Sequence, residues 1–158
     1  MLNNSNNNNN SNNNKNFKFS ENGRQWEQYL ATVYKAEQTF FNNSASESGD
    51  FVANGIQYQV KSANGIWEDV HNLNEFKNHI LNVCKADRYL LKIGTHAEVR
   101  VGQERWLDIN KQELILLAEN GYIRFDRKAF GRQCAKWSIT VKKSLVLINK
   151  FRIKPVVE

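Results

Sequence analysis

The sequence predicts a mixed α/β domain, and three observations carry that expectation. Arg24 to Glu37 repeats Trp26, Leu30, Val33 and Tyr34 at helical spacing. Phe51 to Lys61 reads as two short strand-like runs joined by Asn54-Gly55. Arg88 to Ile93 is an apolar strand that follows a second helical stretch and belongs in the interior of a sheet.

Taken in order, Met1 to Asn16 are almost wholly Asn and Ser. Such a composition buries too little apolar surface to offset chain entropy, so residues 1–19 are expected to be a disordered tail and 20–158 a single domain. Ser20 is a candidate N-cap for the first helix. Thr39 to Phe41 is β-prone and short, fitting an edge strand before a polar loop over 42–49. In the next segment Ile56, Tyr58 and Val60 alternate with polar residues, as on a half-buried strand. Asn-Gly between the two runs favours a type I′ turn, because both central positions need positive φ. After Gly65, His71 to Lys85 predicts a second helix with Leu73, Phe76, Ile80, Leu81 and Cys84 on one side, and Trp67 as a buried anchor for it. Further strands are expected over 98–101, 105–107, 122–125 and 137–148, and a third helix over 111–119 closed by Asn120-Gly121.

Charge narrows the function classes. The chain carries a formal charge of +6. From Tyr122 to Lys154 ten Lys or Arg residues face one acid, Asp126, so the basic character is concentrated in the C-terminal third, as on a surface that neutralises phosphates. Within it, Arg127-Lys128-Ala129-Phe130-Gly131-Arg132 mixes cations, an aromatic ring and Gly in what reads as a loop suited to gripping DNA backbone, with Lys136 beyond it. Cys84 and Cys134 match neither a zinc spacing nor a disulfide framework, so a reduced, intracellular protein is expected. No apolar run is long enough to span a bilayer, and no membrane partner is expected. His71, His79 and His96 are too scattered to share a metal.

The hairpin carries the chemistry. Counting outward from Asn54-Gly55 pairs Ala53 with Ile56, Val52 with Gln57, Phe51 with Tyr58 and Asp50 with Gln59. Lys61, two residues past Gln59, then shares their face. A carboxylate, an amide oxygen and an ammonium in one patch suit phosphodiester hydrolysis. A hard cation such as Mg²⁺ takes a few protein oxygens, and a nearby Lys orients or helps deprotonate the attacking water.

Asp50 followed nine positions later by Gln59-Val60-Lys61, between two helices, resembles the core of the PD-(D/E)XK nucleases. The resemblance implies a restriction-endonuclease-like fold, with a central mixed β-sheet flanked by helices and extra C-terminal strands. It also implies a Mg²⁺-dependent endonuclease, with Mn²⁺ as a substitute, acting on DNA, and by family analogy a possible homodimer. Gly49 stands where the family name places Pro, and Gln59 where Glu is usual. Gln is a recurring variant, found in Mrr-like restriction nucleases and in transposon end-cleaving nucleases, yet it supplies one oxygen without the second negative charge. Glu27 of the first helix, or Glu47 in the polar loop, is the candidate to complete the metal set. Ser62 and Asn64 are candidate phosphate contacts or loop caps. Two functions follow: a nuclease with Asp50, Gln59, Lys61 and Glu27 as its site, or a non-catalytic nucleic-acid-binding protein that keeps the fold.

Overall fold

The computed structural model describes residues 20–40, 50–61, 65–94, 105–129 and 132–151. Its elements are α1 (Ser20–Val33), β1 (Gln38–Thr39), β2 (Phe51–Ala53), β3 (Ile56–Lys61), β4 (Ile66–Glu68), α2 (Leu73–Asn78, continued as a π-helical turn over His79–Val83), β5 (Arg88–Ile93), β6 (Arg105–Asn110), α3 (Lys111–Glu119), β7 (Ile123–Ala129), β8 (Arg132–Trp137) and α4 (Val141–Phe151). The fold is mixed α/β, as the sequence predicts. The expected tail over 1–19 and strand over 98–101 lie outside the described residues.

The strands form two sheets. Five run in the order β1-β2-β3-β5-β6 and three in the order β4-β8-β7. In the larger sheet β3 and β5 are parallel neighbours and the other pairs are antiparallel, so the sheet is mixed. The parallel pair requires a crossover, and β4 with α2 supplies it.

Alternation along the central strands divides the core between the faces. Leu90 of β5 and Trp106 of β6 join Phe51, Ala53, Tyr58 and Val60 against Leu30 and Ala31 of α1. Tyr89, Leu91, Ile93, Leu107 and Ile109 project the other way, into a larger cluster with Phe76, Leu114, Trp137 and Leu147 from α2, α3, β8 and α4. Helices therefore flank the sheet on both faces, and the small sheet closes the second one. Trp67 meets Phe76 edge-to-face at 5.2 Å, so it anchors α2 as expected, although from a strand the sequence did not reveal.

Helix ends show which signals were readable. Asn110 caps α3 in a reciprocal capping box with Glu113. At the other end Gly121, at φ 84°, donates to the Ala118 carbonyl while Tyr122 N–H reaches Leu117, a Schellman closure. The same closure ends α1 early. Lys35 N–H donates to Thr32 and Ala36 N–H to Ala31, with Lys35 at φ 56°. A Lys in this left-handed position gives no sequence signal, so the helix stops at Val33 instead of Glu37.

Two other expectations are corrected. Cys84 N–H donates to His79, five residues back, and this wider turn rotates the side-chain phase so that Leu81 is exposed while Phe76, Ile80 and Cys84 stay buried. The stretch expected as strand over 137–148 is mostly α4. Its β-branched residues favour a strand locally, but Thr140 Oγ1 accepts from Lys143 N–H as an N-cap, and Ser144, Leu147 and Ile148 fall on one inward stripe. The described residues include no helix long and apolar enough to cross a membrane. Cys84 and Cys134 are buried thiols that form no disulfide.

Candidate active and metal site

The site is assembled at the open end of the β2–β3 hairpin. Asn54 and Gly55 take φ 53° and 75°, the two positive values a type I′ turn demands. The ladder is Ala53↔Ile56, Val52↔Gln57 and Phe51↔Tyr58, as counted from the sequence.

One residue further on, the count fails. Asp50 does not pair with Gln59. Its N–H donates to the Tyr58 carbonyl at 2.7 Å, its carbonyl accepts from Phe40 N–H at 2.8 Å, and its Oδ2 accepts from Val60 N–H at 2.6 Å. The chain gains a residue here, as in a β-bulge, and the carboxylate replaces the carbonyl that Val60 would otherwise meet. Asp50 therefore lies at the sheet margin beside the Gln59–Val60 peptide.

Glu27 reaches this point from above. Its side chain hydrogen-bonds the Asp50 carboxylate, so α1 delivers a second carboxyl to the first. The pose of α1 is fixed two turns later, where Tyr34 OH donates to Asp108 Oδ2 at 2.7 Å and Asp108 Oδ1 accepts from Arg88 Nε at 2.5 Å. Tyr34 also packs on Tyr58 with ring centroids 4.8 Å apart. Burial, and next the bond to Asp108, push the Tyr34 phenol well above its usual pKa, so it remains a proton donor to the carboxylate. The sequence reading missed Asp108, whose only signal is a lone acid within a strand.

Lys61 approaches from the opposite face. Gln59 and Lys61 lie beside Tyr89 and Leu91 of β5, both of which point into the larger cluster. The Lys61 ammonium donates to the Ile66 carbonyl at 2.8 Å and lies 5.0 Å from the centre of the Trp67 ring, a cation–π contact. Its charge is still felt at Asp50. Burial raises the Asp50 pKa above the ordinary carboxylate value, while the Val60 N–H, the Lys61 charge and the Glu27 bond act to lower it; burial prevails.

Two carboxyl groups in direct contact repel unless a proton or a cation lies between them. Glu27 and Asp50 are such a pair, and Gln59 precedes Val60, whose N–H donates to the Asp50 carboxylate. Two carboxylates plus a neutral oxygen suit Mg²⁺, which keeps several of its waters. No group of three or more His, Cys, Asp or Glu that could hold a metal ion occurs among the described residues.

The remaining predicted site residues divide. Ser62, Asn64 and Glu47 lie outside the described residues. Arg127, Lys128 and Arg132 do not form a loop: they stand on the paired strands β7 and β8, in the register Arg127↔Cys134, Lys128↔Gln133 and Ala129↔Arg132. Lys136 is half-buried on β8, between Ile66 and Arg124. No protein-family model, curated protein or solved structure matches the chain.

Proposed function

We propose that this protein is a metal-dependent endonuclease that hydrolyses phosphodiester bonds in DNA, on a core of the PD-(D/E)XK, restriction-endonuclease-like kind. The observation that carries the reading is the hydrogen bond between the Glu27 and Asp50 side chains at the end of the hairpin, with the Lys61 charge acting on Asp50. A helix and a strand hold two carboxyl groups together against the burial penalty, and the Lys61 charge acts on Asp50. Stability alone does not favour this arrangement.

In this reading Asp50 and Glu27 hold a Mg²⁺ or Mn²⁺ ion, and the Gln59 amide adds a neutral oxygen. The ion, when bound, supplies Lewis acidity to the scissile phosphate and favours ionisation of water. Lys61 orients the attacking water and offsets charge that builds on the phosphate oxygens. Water adds to phosphorus as one ester P–O bond breaks, and the leaving oxygen takes up a proton. Val60 N–H fixes Asp50, and the Tyr34–Asp108–Arg88 network fixes the helix that carries Glu27.

A second reading has its own support. The Lys61 ammonium is already engaged by the Ile66 carbonyl and the Trp67 face, and Gln59 is neutral, as expected of a chain that binds nucleic acid without cutting it. Incubating supercoiled plasmid, branched DNA and single strands in Mg²⁺, Mn²⁺ or EDTA separates the two. Metal-dependent cutting that disappears in Asp50→Ala and Lys61→Ala supports the nuclease. Binding without cutting supports the second reading, and cutting that survives both substitutions removes the assigned site.

A further inference from the structure

The small sheet lies directly beside the candidate site. The Ile66 carbonyl, which accepts from Lys61, is on β4; Ile66 is in register with Lys136 of β8, and Lys136 with Arg124 of β7. A line across the strands therefore runs from Lys61 past Ile66 to Lys136 and Arg124, over roughly 10 Å from Ile66 to Arg124 at the usual strand spacing.

Two features of this line need a partner to explain them. Arg124 and Lys136 are directly opposed across an antiparallel pair, which places like charges together at a cost to the sheet. Among the described residues neither is in an ion pair. In addition, β4 pairs only with positions 134–136, whereas β7 and β8 continue past it through Lys128↔Gln133 and Ala129↔Arg132. The far end of the hairpin is thus a short two-stranded ribbon with Lys128 and Arg132 at its register positions, and Arg127 stands at the last rung that β4 also borders. A B-form major groove is wide enough to admit such a ribbon, whereas the deep, narrow major groove of A-form RNA is not.

We infer that the β7–β8 ribbon docks in the major groove of duplex DNA, with Arg124 and Lys136 at its base holding the phosphate backbone on the path to Asp50. The inference rests on DNA as the substrate class and adds Arg124 and the form of the nucleic acid. Phosphate lying against the two cations offsets the repulsion between them.

The test is binding of the full chain to a labelled duplex by fluorescence anisotropy in EDTA, where cutting is absent, across a salt series. Arg124→Gln and Lys136→Gln each weaken duplex binding about fivefold at 0.15 M salt and make the salt dependence shallower by about one power. Neither lowers the thermal midpoint, because each removes a repulsion. Duplex DNA binds more tightly than a single strand of the same sequence or duplex RNA. Unchanged affinity in the double variant overturns the inference, as does equal or tighter binding of duplex RNA. A lowered midpoint that accounts for the lost binding overturns it too. If the charge variants behave as expected while the wild type cuts nothing in any metal, the nuclease reading fails and the docking surface stands.

Discussion

Replacing Asp50 in two ways separates its role as a backbone cap from its role as a buried charge. Asparagine retains an oxygen for the Val60 N–H and supplies an amide to Glu27, while removing the charge that burial disfavours. Alanine leaves the Val60 N–H without its acceptor. An unsatisfied buried donor costs about 1–3 kcal/mol, so Asp50→Ala should unfold about 2 to 12 °C below Asp50→Asn, at roughly 2–4 °C per kcal/mol for a chain of this size. The assay is thermal unfolding by circular dichroism in EDTA. Because the folded pKa of Asp50 is raised, its contribution to stability is fully present below the ordinary carboxylate pKa and is lost as pH rises through the folded value. Asp50→Asn should therefore gain on the wild type as pH rises through that window and stay level above it. Equal midpoints for the two variants, or a wild-type deficit that does not change with pH, would refute the reasoning.

Other substitutions test the supports of the site. Glu27→Gln should abolish the thermal shift produced by Mg²⁺; in the wild type that shift corresponds to about 2.7 kcal/mol at a hundredfold excess over the dissociation constant, and an undiminished shift removes Glu27 from the metal set. Tyr34→Phe loses the bond to Asp108 and should destabilise the fold by about 1.5–3 kcal/mol in denaturant titration, because the acceptor is charged; a change within error would show that α1 is held by packing alone. Gly121→Ala meets no atom within 4 Å, so its effect should be conformational only, about 1–2 kcal/mol for a side chain at φ 84°. A larger loss would point to a clash.

Where local chemistry decides structure, the sequence was legible. Asn54-Gly55 specified its turn and three rungs of register, Arg88 to Ile93 its buried strand, and Asn120-Gly121 the end of α3. Where long-range packing decides, it was not. Nothing in Val141 to Phe151 says that a helix will outcompete a strand until Leu147 has a core to enter. Ile66 to Glu68 becomes a strand only because β8 lies beside it. The candidate site shows the same division. Spacing singled out Asp50, Gln59 and Lys61 as candidates, but the bulge that turns Asp50 onto Val60 depends on β1 and β3 meeting it from both sides, and no count along one strand contains that.

The most direct test of the central claim is plasmid cleavage by the wild-type chain in Mg²⁺, repeated in Mn²⁺ and in EDTA. A metal-dependent nuclease built on Asp50, Glu27, Gln59 and Lys61 predicts nicked and linear product with either metal, none in EDTA, and none from Asp50→Ala or Lys61→Ala under the same conditions. Intact plasmid with both metals, or undiminished cutting by the two variants, would contradict it.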